Sequence, residues 1–200
     1  MQITQDDLDN LKPIGTSRAS GNYGTVKKIN DDEAIKIFKD LKYVQKYHIE
    51  DEIKKICKVR VDGVALPKEL VYKNGVFIGF TMPYYKGFNL SIMFKKMIKN
   101  GVSISEDEIN RLYNGLIMKV KELSKKQIRI IDIKPDNIIY YNNELCIVDC
   151  EAYRYTTMNN LERYNISVVE NAVKKYLYEI FNIKKYEDDK IFEFNSNIKS

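Results

Sequence analysis

Four polar side chains in the second half of the chain have types and an order that could support chemistry. Asp132, Lys134 and Asn137 occur in one short stretch, and Asp149 follows an apolar run that is typical of a strand. Oxygen atoms are the ligands that magnesium prefers, so Asn137 and Asp149 are candidate metal ligands. Asp132 is a candidate to orient and deprotonate a hydroxyl, and Lys134 a candidate to stabilise charge on a transferred group. The pattern predicts metal-assisted group transfer.

The elements around these residues follow from apolar periodicity and turn residues. Ser105 with Glu108 has the pattern of a capping box at the start of a long helix. The elements predicted in this half are, in order, helices at 89–99 and 105–126, a loop at 128–137, strands at 138–141 and 144–148, and a helix at 159–184. The candidate residues therefore lie where a loop meets a short hairpin.

The first half of the chain has the alternating pattern and the turn residues of strands. Ile49, Ile53 and Ile56 recur on one face and predict a helix, and Asn74-Gly75 is a strong hairpin signal. The elements predicted here are, in order, strands at 25–29 and 34–38, a helix at 43–60, and strands at 69–73 and 76–82. Strands with one helix, followed by helices with a small hairpin, predict an α+β fold.

The loop that holds Asp132 resembles the catalytic loop of the protein kinase superfamily. Residues 130–137 read IIDIKPDN, which is similar to the family pattern H-R-D-L-K-P-x-N, and residues 149–151 read DCE where the family has D-F-G. The resemblance implies that Asp132 positions the hydroxyl that receives a phosphoryl group, with Lys134 beside it. It also implies that Asn137 and Asp149 bind magnesium.

Upstream, two segments resemble the parts of a kinase that hold the phosphates of ATP. Residues 34–36 read AIK and are similar to the V-A-I-K strand, which implies that the lysine contacts the α- and β-phosphates. Residues 19–26 read ASGNYGTV and resemble the loop G-x-G-x-x-G-x-V, in which backbone N–H groups approach phosphate. The resemblance assigns nucleotide contacts to Gly21, Gly24, Val26, Ala34 and Lys36.

A kinase lysine of this kind pairs with a glutamate on a nearby helix. Glu52 is the favoured partner of Lys36, because it lies beside the apolar face of the predicted helix. Glu50 is the competitor and points more toward solvent. An ordinary pair with a lysine on the helix surface is the alternative for Glu52.

The stretch FTMPYYKGFNL, between the two halves, resembles the hinge of a kinase. By this similarity Met82 is the gatekeeper, while the carbonyl of Pro83 and the N–H of Tyr85 meet the adenine edge. A proline is compatible with that position, because only its carbonyl is needed. The resemblance implies a two-lobed kinase-like fold, with an N-terminal β-sheet lobe at 1–86 and a reduced helical C-terminal lobe at 87–200.

Several parts of the family pattern are replaced or missing. Ile130 and Ile131 replace H-R, which argues against control by a phosphate on an activation loop. Glu151 replaces the glycine of D-F-G, and this third carboxylate is expected either to bind metal or to face solvent. Neither A-P-E nor D-x-W-x-x-G follows, so the peptide-binding platform is expected to be largely absent. The amphipathic segment 168–177 is expected to support the catalytic loop.

The composition of the chain indicates which partners it can bind and in which compartment it is expected. The net charge of +5 arises mainly from lysines that are scattered among acidic residues, so a nucleic-acid surface is not predicted. The three cysteines have no metal-binding spacing, which indicates free thiols in a reducing compartment and a cytoplasmic location. No apolar run is long enough to span a bilayer. The N-terminus lacks an apolar signal sequence, although a secreted effector without a readable signal stays open.

The resemblance as a whole implies an ATP-dependent phosphotransferase that uses Mg²⁺, with Mn²⁺ as an alternative. Lys134 two residues after Asp132 is similar to the Ser/Thr pattern. The favoured activity is therefore that of a truncated bacterial protein Ser/Thr kinase, which resembles compact effector kinases in architecture. A protein substrate is expected to dock outside the standard platform. The alternatives are a small-molecule kinase and a pseudokinase that binds a nucleotide or a partner, the latter motivated by the altered motifs.

Overall fold

The computed structural model describes residues 1–14, 24–102 and 104–180, which form a mixed α and β fold with an antiparallel sheet. The first elements are α1 (Gln5–Asn10), β1 (Lys12–Pro13), β2 (Gly24–Lys28), β3 (Glu33–Phe38), α2 (Leu41–Lys46), α3 (Ile49–Ile56), β4 (Glu69–Lys73) and β5 (Val76–Pro83). The later ones are β6 (Phe88–Asn89), α4 (Leu90–Lys99), α5 (Glu106–Lys125), β7 (Ile128–Arg129), β8 (Ile138–Tyr141), β9 (Glu144–Ile147), β10 (Arg154–Tyr155), α6 (Leu161–Val169) and α7 (Lys175–Ile180). The phosphate contact predicted at Gly21 lies outside the described residues.

A five-stranded antiparallel sheet, in the order β1-β2-β3-β5-β4, occupies the first half of the chain. Its central strand β3 pairs with β2 on one side and β5 on the other, so that Lys36 lies opposite Val26 and Phe80. The β4–β5 hairpin turns at Asn74-Gly75, where both residues have positive φ, as the dipeptide predicts. Apolar clusters cover both faces of the sheet, and Lys36 is consequently buried.

The single helix predicted at 43–60 is wrong, because two helices, α2 and α3, meet there at a sharp break. His48 lies between them with a φ of 51°, and this left-handed conformation interrupts the helical hydrogen bonds. Asp40 caps α2 by accepting a hydrogen bond from the N–H of Tyr43 at 3.0 Å. The apolar face predicted for α3 is confirmed, and Ile53 is fully buried in a cluster with residues of the sheet.

Helix α5 is the longest described helix and forms the centre of the second half. Its N-terminus is capped by Ser105, whose Oγ accepts a hydrogen bond from the N–H of Glu108 at 3.2 Å. Leu112, Leu116 and Val120 are buried in a cluster that also includes residues of α4, α6 and the β8–β9 hairpin. These contacts fix the hairpin and helices around the loop between β7 and β8. Within the residues that the structure describes, no helix has the length and apolarity that a bilayer crossing requires.

Two glycines in these elements are expected to respond in opposite ways to an added methyl group. At Gly24 in β2, a Cβ would lie 2.7 Å from the carbonyl oxygen of Ile37 and 3.3 Å from Cε of Lys36. Gly24→Ala should therefore lower the free energy of unfolding by about 1–3 kcal/mol, as overpacking does. At Gly115 in α5, a Cβ would have no atom within 4 Å. Gly115→Ala should raise that free energy by about 1 kcal/mol, because alanine favours the helix.

Urea unfolding of both variants measures these changes. A loss of the same size in the two variants would contradict the close approach of β2 to β3 at Gly24.

Candidate functional site

The side chain of Lys36 connects the sheet with the segment that follows β9. Lys36 is 4% exposed in the middle of β3, and its Nζ donates hydrogen bonds to Oδ1 of Asp149 and to Oε1 of Glu151. Asp149 lies 113 residues further along the chain. A buried ammonium of the sheet is thus satisfied by two carboxylates from the second half of the molecule.

The way in which β9 ends brings Asp149 to this position. Val148 follows the strand, and its N–H donates a hydrogen bond to the carbonyl of Asn137 at 2.9 Å. Asp149 then has a φ of 63°, which is uncommon for a residue other than glycine, and a 3₁₀ turn comes directly after it. The reversal allows Asp149 and Glu151 to reach the same ammonium group of Lys36.

The loop between β7 and β8 holds Asp132 and its predicted neighbours together. Asp132 has a φ of 56°, and its carbonyl accepts a hydrogen bond from Nδ2 of Asn137 at 2.9 Å. Its Oδ2 lies 3.1 Å from Nζ of Lys134, and this bond raises the pKa of Lys134. Because Asn137 also bonds to Val148, the loop is tied to the residue before Asp149.

Burial and charge act in opposite directions on the three groups that meet at Lys36. Burial disfavours the ammonium, but the charges of Glu151 and Asp149 outweigh it, so the pKa of Lys36 is raised. Burial also disfavours ionised Asp149, yet the positive charge of Lys36 holds the pKa of Asp149 below its usual range. For Glu151 burial is the larger effect and raises the pKa. Asp149 is therefore the acid that ionises more readily.

The same place has donor atoms that fit a magnesium ion. Two carboxylates face one ammonium, which leaves an excess of negative charge when all are ionised. The side chain of Asp149 is 40% exposed, and Oε2 of Glu151 is buried without a hydrogen-bond partner. The described residues contain no group of three or more His, Cys, Asp or Glu side chains that could hold a metal. Oxygens of a substrate would therefore have to complete the coordination, as phosphates usually do for magnesium.

The predicted ion pair between Glu52 and Lys36 is not formed in the structure. The carboxylate of Glu52 lies 2.6 Å from Nζ of Lys55 on the same helix and 3.7 Å from Nε of Arg154 in β10. Glu50, the competitor, also pairs with a lysine of its own helix. Neither glutamate of α3 contacts Lys36, whose carboxylate partners both come from the segment after β9.

The register of the sheet places the predicted nucleotide contacts on one face. Val26 lies opposite Lys36, and Met82 lies opposite Ala34. Because Ala34 and Lys36 are two residues apart in one strand, all four side chains point to the same side of the sheet. Gly24 lies next to this group, since a Cβ added to it would lie 3.3 Å from Cε of Lys36. The structure therefore brings these predicted residues together around Lys36.

The two predicted hinge residues lie at the end of β5 and just beyond it. Pro83 is the last residue of the strand and lies opposite Glu33. Tyr85 packs with its ring 5.7 Å from that of Tyr141, and burial raises the pKa of Tyr85 far above its usual range. Both residues line a groove of about 540 Å³ that Glu122 also lines. Their predicted contacts with adenine involve backbone atoms, so the direction of these side chains does not bear on them.

A buried asparagine of α6, which the sequence reasoning missed, fixes the start of the loop. Asn165 is fully buried. Its Oδ1 accepts a hydrogen bond from the N–H of Ile130, and its Nδ2 donates to the carbonyl of Ile128 and to Oγ of Ser124, each at 2.9 Å. The segment 168–177, predicted to support the loop, begins after this residue. The signal in the sequence was a polar residue between apolar positions of a helix.

Asn165→Ala should destabilise the fold strongly. The change removes three hydrogen bonds at a fully buried position and takes this partner from two backbone groups, at a cost of about 1–3 kcal/mol for each such group. Oγ of Ser124 keeps its hydrogen bond to the carbonyl of Val120. We expect the free energy of unfolding to fall by about 3 kcal/mol in total, measured by urea unfolding. Asn159→Ala, at an exposed position, is the control and should change it by less than about 0.5 kcal/mol. Equal stability of the two variants would contradict the role of Asn165.

Comparison with protein-family models and curated proteins identifies no family for the chain, because none of them matches it at a significant level. The function must therefore be inferred from the chemistry of the side chains themselves.

Proposed function

We propose that this chain is an ATP-dependent phosphotransferase with a two-lobed, protein kinase-like fold. The observation that carries the proposal is the contact between the buried ammonium of Lys36 and the carboxylate of Asp149. A fixed ammonium beside an acid that can hold magnesium is the pairing with which protein kinases hold nucleotide phosphates. In this proposal residues 1–86 form the lobe that binds the nucleotide, and residues 87–200 form the reduced lobe that carries the catalytic loop.

Each residue of the site has its own task in the reaction. Lys36 binds the α- and β-phosphates of ATP through its Nζ. Asp132 accepts the proton of the acceptor hydroxyl while that oxygen bonds to the γ-phosphorus, and the bond from this phosphorus to the leaving oxygen of ADP breaks. Lys134 stabilises negative charge on the transferred group. Asn137 and Asp149 would hold magnesium, which would supply positive charge for the phosphates.

The favoured acceptor is a serine or threonine hydroxyl of a protein. The side chain of Asp132 is 60% exposed, so a hydroxyl on a large partner can reach it. In the described part of the chain, the segment after Asp149 contains the short strand β10 and the helices α6 and α7 joined by a π-helical turn. A partner would therefore dock on surfaces other than the peptide platform of larger kinases.

Label transfer from γ-labelled ATP tests the proposal. The purified protein is incubated with the label and Mg²⁺ or Mn²⁺, alone and with a bacterial or host lysate, beside the variant Asp149→Asn. We expect the unaltered protein, but not the variant, to add labelled protein bands to those of the lysate alone, and its melting temperature to rise on addition of ATP and metal. Label in small molecules alone would select a small-molecule kinase, and nucleotide binding without label would select a pseudokinase. Absence of both label and thermal shift would contradict the proposal.

A further inference from the structure

We propose that Glu151 is the residue that positions Lys36, and that Glu52 acts one contact further away, through Arg154. The inference rests on the proposed phosphotransferase function, because it assigns a task within the same site. It separates the roles of the two carboxylates at Lys36. Asp149 can exchange the ammonium for another ligand, whereas Glu151 keeps the ammonium in place. Glu151 acts through Lys36 and is therefore a positioning residue.

The two carboxylates differ in their access to solvent. The side chain of Glu151 is 12% exposed and that of Asp149 is 40% exposed, although both contact the same Nζ. The expectation that Glu151 faces solvent is therefore wrong. A carboxylate that water reaches can exchange its partner at low cost, whereas a buried one must keep its partner, since an unpaired buried charge is strongly unfavourable. Burial thus makes Glu151 the more permanent partner of Lys36.

A series of contacts links α3 to Glu151 without involving Lys36. Nε of Arg154 lies 3.7 Å from the carboxylate of Glu52. Nη1 of Arg154 donates hydrogen bonds to the carbonyl oxygens of Glu151 at 3.0 Å and of Tyr153 at 2.9 Å. Arg154 therefore holds the backbone that carries Glu151, and Glu52 helps to hold Arg154. Helix α3 therefore influences Lys36 through Arg154 of β10 rather than by direct contact.

Charge balance gives the reason why Lys36 needs a second carboxylate. A cation bound at Asp149 would compete with Lys36 for the same oxygens. Lys36 is 4% exposed, so without another carboxylate its ammonium would be buried and unpaired until phosphate oxygens reach it, which is unfavourable. Glu151 supplies the remaining negative charge. It thereby performs the task that the sequence predicts for Glu52.

Chemical labelling tests the contact without nucleotide. The full-length protein and its variants Glu151→Gln, Glu52→Gln and Glu50→Gln are treated with limiting acetic anhydride, and acetylation of Lys36 is compared with that of exposed Lys58 by mass spectrometry. Glu151→Gln removes the direct partner and should raise acetylation of Lys36 about tenfold. Glu52→Gln removes the indirect partner and should raise it by a smaller factor of about three. The Glu50 variant is the matched control on the same helix and should show no change.

The outcomes distinguish the inference from the function on which it rests. Release of Lys36 by the Glu52 variant but not by the Glu151 variant would overturn the inference. The labelling result stands even if the unaltered protein fails to bind ATP, a failure that would contradict the phosphotransferase proposal instead. Glu151→Asp keeps the charge and should restore part of the protection of Lys36, whereas misfolding would not be rescued in this way.

Kinetics separate a positioning role from metal binding. With turnover as the readout, Glu151→Gln should raise KM for ATP and lower kcat, while the Mg²⁺ concentration needed for half-maximal rate stays the same. Asp149→Asn should raise that Mg²⁺ requirement. A raised requirement in the Glu151 variant would make Glu151 a metal ligand and would overturn its assignment as the partner of Lys36.

Discussion

The variant Asp132→Asn should keep its affinity for ATP and lose most of its turnover. The amide has nearly the same size as the carboxylate, and the loop should persist, because the backbone carbonyl of Asp132 accepts the hydrogen bond from Asn137 at 2.9 Å. The amide cannot take up the proton of the acceptor hydroxyl. General-base catalysis contributes about 10²- to 10⁴-fold, so kcat should fall within that range. KM for ATP should stay within about twofold, since binding energy is unchanged.

Initial rates of label transfer at several ATP concentrations measure both constants. Asp136→Asn is the matched control, because Asp136 is an exposed carboxylate of the same loop and undergoes the same chemical change. Its kcat should differ from that of the unaltered protein by no more than about twofold. Equal losses in the two variants, or a loss at Asp132 confined to KM, would contradict the role of Asp132 as the base.

Turns and strands with local signals could be predicted from the sequence. The hairpin at Asn74-Gly75 and the one at Asn142-Asn143 have positive φ at all four residues, a conformation that asparagine and glycine adopt more readily than other residues. The strands on either side agree with the prediction within one or two residues. In these places the conformation depends on the residues themselves, so a local pattern is sufficient.

The break between α2 and α3 could not be predicted by the same means. Val44 in α2 and Ile49 in α3 are both buried in one cluster with residues of the sheet, so the apolar pattern continues across the break. Histidine is enriched at positive φ among residues other than glycine, but such a conformation is uncommon even so, and His48 alone is therefore a weak signal. The packing of α2 and α3 on the same face of the sheet decides the conformation at His48. Apolar periodicity in the sequence does not reveal this break.

In the candidate site, contacts between residues close in sequence could be predicted, whereas contacts between distant residues could not. The spacing of Asp132 and Asn137 predicts one loop, and the structure joins them by a hydrogen bond. The carboxylate partners of Lys36 depend on the turn after β9, which brings Glu151 to Lys36. They also depend on Arg154, which contacts the carboxylate of Glu52. Periodicity places a glutamate on the inner side of a helix but does not say which group its carboxylate reaches. A partner two residues after Asp149 therefore escaped prediction.

Lys36→Met should lower the free energy of unfolding strongly. The methionine fills much of the same volume, but two carboxylates then share a buried site without their cation. Breaking a buried ion pair by removing one partner costs about 3–5 kcal/mol. The side chain of Asp149 is 40% exposed, and water therefore screens part of the repulsion, which favours a value near about 3 kcal/mol at neutral pH.

This variant should gain stability on mild acidification more steeply than the unaltered protein, in which, among the three groups that meet at Lys36, the raised pKa of Glu151 alone acts in that direction. In the unaltered protein the lowered pKa of Asp149 and the raised pKa of Lys36 stabilise the fold between about pH 4 and pH 10, and this stabilisation is lost beyond either limit. Without Lys36, burial raises the pKa of both carboxylates in the folded state above the unfolded values. The folded state then binds protons more tightly, so Lys36→Met should gain stability as the pH falls from about 7.5 to about 5.

Urea unfolding near these two pH values gives the comparison. Lys28→Met is the control, because Lys28 lies on the neighbouring strand β2 and its ammonium pairs with the exposed Asp31. That variant should follow the unaltered protein at both pH values, within about 0.5 kcal/mol. If Lys36→Met instead followed the control and showed no additional gain of stability on acidification, the two carboxylates would not be buried against Lys36. In that case the contact that carries the proposed nucleotide site would itself be wrong.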